Sequence, residues 1–193
     1  MKKNRIWMGS ALFAICLGTA VSGIAMGEDE GEWGDRKWSR QGYLREQGVA
    51  PVSDKRYASE CGACHFAYPP GLLPARSWRR IMSDLDEHFG EDASLSRRTK
   101  KVLTRYLVHN AGDVRRDEVS RKLLRRLSAR EAPLRITHLP YFRRKHGEIP
   151  SRMIAGNPRV RSLSNCQACH TQAARGVFEE ETVRIPGYGR WHD

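Results

Sequence analysis

Cys61-Gly62-Ala63-Cys64-His65 and Cys166-Gln167-Ala168-Cys169-His170 are two copies of one five-residue pattern, and the rest of the chain is best read outward from them. Cysteines three apart sit on one side of a helical turn, where their sulfurs reach the two vinyl groups of a haem and form thioethers. The histidine that follows is then held under the iron as an axial ligand. Other uses of paired cysteines explain less. A tetrahedral zinc site would take the four thiols, but the pairs lie too far apart for a compact zinc ribbon, and zinc gives no reason for the trailing histidines. A redox-active pair normally accompanies a βαβ pattern, and none is visible. Disulfide frameworks belong to shorter chains with weaker cores.

Between the motifs the periodic segments are helical, and no strand alternation of useful length is found. Lys55 to His65 carries the first motif on a short helix. Tyr68-Pro69-Pro70-Gly71-Leu72-Leu73-Pro74 cannot be helical throughout, because proline lacks the amide donor and restricts its predecessor; it suits a wrap over a haem edge. A second helix is expected from about Ala75 to Phe89, with Trp78, Ile81, Met82, Leu85 and Phe89 as its apolar stripe and Gly90 as its stop. A third, from about Leu95 to Asn110, buries Val102, Leu103, Tyr106 and Leu107 and closes at Gly112. His88 and His109 flank these stripes in similar ways, and helical phase alone does not choose between them. A basic fourth helix from about Arg116 to Leu127 ends before Pro133. Pro140, a favoured first helical position, opens a short helix to Gly147 with Phe142 and His146 on one side. Ser164 is the expected cap of a helix carrying the second motif and fading near Gly176. The tail from Ile185 to Asp193 reads as irregular. The expected fold is all-α, with two small haem-centred domains at 55–112 and 113–193, preceded by an arm at 28–54.

Outside these regions, Lys2, Lys3 and Arg5 precede an uncharged apolar run from Ile6 to Met26, and acidic sequence begins at Glu28. That is a signal peptide over residues 1–27, implying export to the periplasm; a retained membrane anchor is the alternative. Cys16 falls inside the run and is read as a leader residue. Removing the three leader cations lowers the formal charge from +12 to +9. Clusters at Arg97 to Lys101, Arg121 to Arg126 and Arg143 to Lys145 could steer an acidic partner or an anionic membrane surface, or simply form solvated helix faces. Nucleic acid is not expected of an exported chain without aromatic stacking platforms among its basic residues. Aromatic residues make up only 8% of the chain, so two buried porphyrins would supply much of the core.

The stretch from Glu60 through the first motif to Phe66-Ala67-Tyr68-Pro69-Pro70-Gly71-Leu72-Leu73-Pro74 is more specific than a bare haem motif. With Ser77-Trp78, His88-Phe89-Gly90, Tyr106-Leu107, Pro140-Tyr141-Phe142, Lys145-His146, Glu148-Ile149 and the second motif through Arg184-Ile185-Pro186, it resembles the dihaem cytochrome c family of bacterial periplasms. The resemblance implies an N-terminal half similar to class I cytochrome c, a C-terminal half of its own design, and two covalently bound haem c groups with histidine on both sides of each iron. Cys61, Cys64, Cys166 and Cys169 would be the attachment points, His65 and His170 the proximal ligands, and His88 and His146 the opposite ones. His88 lies 23 residues after His65 and His146 lies 24 before His170, which assigns each to its own half; a crossed pairing stays open. His109 and His138 do not match ligand positions, and His192 is a tail residue. The resemblance also points to redox partners, a membrane b-type cytochrome and a monohaem oxygen-binding cytochrome c among them.

Axial ligands decide what such irons do: methionine opposite histidine raises the potential, histidine on both sides lowers it, and an open position admits small ligands. Met82 lies on the helical stripe with Leu85 and is expected in the core. The leading expectation is therefore a carrier of single electrons with two low-spin haems, not an enzyme and without a small-molecule substrate. The competing expectation is a dihaem peroxidase or reductase with one open iron.

Overall fold

The structure is a computed structural model and describes residues 48–191. The expected leader, Cys16, the arm as far as residue 47 and His192 lie outside the described residues. Helix α1, Lys55–Gly62, starts where the Asp54 side chain accepts the Tyr57 amide at 2.8 Å, satisfying one of the free donors of a helix start. It ends before the first motif does, so Cys64 and His65 fall in the turn that follows rather than on the expected longer helix. The proline stretch is not helical throughout: Pro70–Leu72 make a single 3₁₀ turn, and Pro69, Pro70 and Pro74 are buried. The Pro70 carbonyl accepts the Trp78 indole N–H at 2.8 Å.

Helix α2, Ala75–Ser83, is shorter than the apolar stripe suggested. Asp84 turns the chain out of helical conformation, and Phe89 and Gly90 both adopt positive φ, +59° and +97°. Leu85 nevertheless stays buried, so one more residue of the stripe reaches the core after the helix has stopped, while Phe89, also expected on it, is exposed. The short polar residues at 83, 84 and 86 compete with helical hydrogen bonding, which is the physical reason for the early end. Helix α3, Arg97–His109, is capped by Ser96, whose hydroxyl accepts the Thr99 amide, and it buries Leu103 and Leu107 against α2, while Val102, expected inside, is exposed. Gly112 does not close it but opens helix α4, Gly112–Arg115. A side chain at Gly112 would collide with the Gly71 carbonyl, so only glycine allows this close approach. Arg116 takes a left-handed conformation, which delays the expected fourth helix to α5, Glu118–Leu124.

Helix α6, Pro140–His146, matches the expected span. The second motif departs from expectation. It carries 3₁₀ turns at Cys166–Ala168 and Ala173–Arg175 instead of a helix, and the Ser164 side chain caps nothing. The cause is pairing with the tail: the Cys169 carbonyl accepts the Arg184 amide at 2.9 Å, and His170 bridges Val183 in antiparallel fashion. The tail itself is ordered as a two-stranded antiparallel hairpin, Arg184–Ile185 (β1) with Gly189–Arg190 (β2). The fold is otherwise helical, as expected.

One apolar cluster runs through both halves. It includes Val49, Tyr57, Leu73, Trp78, Met82, Leu103 and Leu107 with Leu139 and Phe142, and Leu163 and Phe178 pack against it. Met82, 2% exposed, is a core residue. The end of the arm is tied to the C-terminal half through the Val49 amide, which donates to the Gly176 carbonyl at 2.9 Å.

Candidate functional site

The chain brings its motif histidines into two pairs. His65, in the turn after α1, faces His88, on the loop after α2, with ring centroids 6.2 Å apart and planes 18° from parallel. His170 faces His146, at the end of α6, with centroids 6.1 Å apart and planes at 56°. Two imidazoles that hold one first-row metal from opposite sides, each through a bond of about 2 Å, set their centroids roughly 6 Å apart. Both pairs therefore have the separation that one iron between them requires. His109 and His138 belong to neither pair; both are exposed, and His109 Nδ1 bonds the Arg105 carbonyl of its own helix.

Hydrogen bonds orient the rings. His65 Nδ1 lies 2.8 Å from the Phe66 carbonyl and His146 Nδ1 lies 2.9 Å from the Phe142 carbonyl. A carbonyl only accepts, so Nδ1 carries the proton in each ring and Nε2 keeps its lone pair for a metal. Phe142 also stacks on His146 with centroids 3.8 Å apart and planes 6° from parallel. His170 Nδ1 is buried and has no hydrogen-bond partner among the described residues. Burial pushes the His170 imidazole down to about 4, with His146 adding to the shift. His88 is also held below its ordinary value, first by burial and then by His65 and Arg135. Neutral imidazole is the form that ligates metal.

The cysteines sit beside these rings. All four are free thiols; Cys61, Cys166 and Cys169 are half-buried and Cys64 is exposed. Burial raises Cys61 and Cys166 to about 11, with Glu60 adding at Cys61; at Cys166 its own backbone hydrogen bond opposes the rise. Among the described residues no three His, Cys, Asp or Glu side chains converge as a metal cage would need.

A cavity of about 390 Å³ opens at the second pair, lined by Leu123, Phe142, Val160, Cys166, Phe178 and Ile185 among others. Its apolar walls, the facing His146 and His170 rings and two flanking sulfurs fit a tethered porphyrin. Spacing in the sequence gave no sign of several neighbours. Phe178 lies 5.3 Å from His170, and the Arg135 guanidinium sits 4.0 Å over the exposed Phe89 ring. Tyr68 packs on His65, and burial pushes its hydroxyl up to about 12, with Cys166 adding and Arg135 opposing. Glu179 lines the cavity with one carboxylate oxygen buried and unpartnered.

A model of the dihaem cytochrome c family matches residues 57–178. Among solved structures, the diheme cytochrome type c from Shewanella baltica OS155 is 43% identical, with a TM-score of 0.60, over 72% of this chain and 97% of that one. The diheme cytochrome c from Rhodobacter sphaeroides is 48% identical, with a TM-score of 0.60, over 67% of this chain and all of that one. No curated protein matches.

Proposed function

Because the chain belongs to the dihaem cytochrome c family, and so carries two covalently bound haem c groups, we propose that it is an exported carrier of single electrons between redox partners. Haem iron supplies reversible one-electron chemistry when bound. The chain's own residues do the rest. Cys61 with Cys64 and Cys166 with Cys169 would tether the groups, and His65 with His88 and His170 with His146 would hold the two irons, which would leave peroxide, oxygen or carbon monoxide no place to bind. The Phe66 and Phe142 carbonyls hold two of these rings in the ligating tautomer. Histidine on both sides sets low potentials. The two halves, 55–112 resembling class I cytochrome c and 113–193, each centre on one haem.

The observation that carries this reading is the matched spacing of the two imidazole pairs, 6.2 and 6.1 Å. The proposed setting is the periplasm, and the proposed partners are a membrane b-type cytochrome and a small monohaem cytochrome c. Among the described residues no helix is long and apolar enough to cross a membrane. Optical and magnetic spectra of the purified holoprotein test the ligation. Two low-spin ferric signals and no carbon monoxide binding on reduction are expected; one full high-spin haem per chain would refute it.

A further inference from the structure

Tyr68 touches both candidate sites. Its ring lies 5.1 Å from the His65 ring, centroid to centroid, with planes 30° apart. Its hydroxyl donates to the Ser164 carbonyl at 2.7 Å, a contact between residues 96 apart in sequence. That same carbonyl lies 3.6 Å from Cys166 Sγ, an attachment sulfur of the second motif. One half-buried side chain thus reaches from an axial imidazole of the first pair to the backbone beside the second haem tether.

The position of this ring is fixed from several sides. The Tyr57 hydroxyl, on a side chain 2% exposed, donates to the Tyr68 carbonyl at 2.8 Å. Phe66 meets the Tyr68 ring edge-on, with centroids 5.6 Å apart and planes at 86°. The proline turn that follows holds the backbone. Filling space does not require the hydroxyl, since a phenylalanine would fill nearly the same volume without needing a hydrogen-bond partner.

We propose that Tyr68 is the bridging residue for electron exchange between the two haems, positioned by its hydrogen bond to Ser164. The inference rests on the dihaem electron-carrier reading above and deepens it. Electron tunnelling weakens less along bonded atoms and short hydrogen bonds than across gaps, and the Tyr68 ring with its 2.7 Å bond replaces such gaps between His65 and the second tether. The step is a single-electron exchange: one ferrous iron is oxidised and the other, ferric, iron is reduced. Tyr68 keeps its proton, and no bond forms or breaks.

Exchange NMR of half-reduced holoprotein measures this step, because haem methyl resonances of the two oxidation microstates interconvert at the intramolecular rate. Y68F keeps the ring and removes the hydrogen bond; Y68L removes both. At equal driving force, Y68F is expected to slow exchange several-fold and Y68L to slow it further, with two low-spin haems retained in each. A Y68F protein that loses thermal stability but exchanges at the native rate would overturn the inference and leave Tyr68 a packing residue. A spectrally native Y68L with unslowed exchange would overturn it as well, without touching the carrier reading. Native protein lacking two low-spin signals would instead overturn the bis-histidine reading and this inference with it.

Discussion

The two histidine pairs share a separation but not a setting. His65 and Cys64 are exposed, and the loop bearing His88 presents Asp84, Asp86, Glu87, Glu91 and Asp92 to solvent. His170 and His146 instead face each other across a walled cavity, with Phe142 stacked behind one ring and Phe178 beside the other. The first pair is held by local turns and the second by packing between α6, the motif turns and the β1–β2 hairpin. An open haem edge exchanges electrons with a partner, while an enclosed one is insulated from solvent. On the carrier reading proposed above, the difference gives the halves unequal shares of stability and of contact with partners.

The largest effect that tests this contrast is removal of the porphyrins. Loss of the group filling the second cavity leaves apolar walls without partners, so the haem-free chain is expected to lose its cooperative melt by circular dichroism. A native-like transition in the apoprotein would break the comparison. Next come the two aromatic neighbours. F142A removes a side chain 6% exposed and should cost about 3–5 kcal/mol in denaturant unfolding of the holoprotein. F89A removes one 44% exposed that meets the Arg135 guanidinium and the His88 ring, and about 1 kcal/mol is expected. Equal costs would show that the two sites are packed alike.

Ligand removal separates the pairs spectroscopically. H88A and H146A should each convert one haem to a form that binds carbon monoxide when reduced. Binding should be faster in H88A, because that site faces solvent, as flash photolysis would read. The reverse order would place the barrier at the wrong haem.

Much of the fold could be read in the residues beforehand; the remainder depends on local backbone conformation and on contacts between segments far apart in sequence. The cysteine spacing, the α2 and α3 stripes and Pro140 identified the elements, because apolar period and proline chemistry act over a few residues. The ends of those elements were harder. Asp84 and Arg116 stop or delay helices through backbone conformations that periodicity does not encode. The second motif looked helical because its own residues permit a helix. Its actual 3₁₀ turns follow from pairing with Val183 and Arg184, residues distant in sequence. Tyr68 and Arg135 escaped for the same reason, since their partners come from other segments.

The smallest effects concern two carboxyls whose shifts run in opposite directions. Glu179, at the second cavity, is held above its ordinary value, chiefly by burial and further by Glu118 and Glu181, with Lys122 opposing. Its folded form disfavours the charge, so it costs stability at neutral pH, and that cost disappears as pH falls below the ordinary glutamate range. Asp92, on the open loop, is held below its ordinary value by hydrogen bonds from Ser94. It contributes stability above the ordinary aspartate range and loses that contribution as pH falls through its lowered value. E179Q should therefore raise the holoprotein melting temperature at pH 7 and D92N should lower it slightly, with both differences shrinking towards pH 3. Scanning calorimetry across that interval reads both signs at once. If E179Q were destabilising at neutral pH, the Glu179 charge would be stabilised by a partner at the second haem, and the enclosed site would be more polar than its walls indicate.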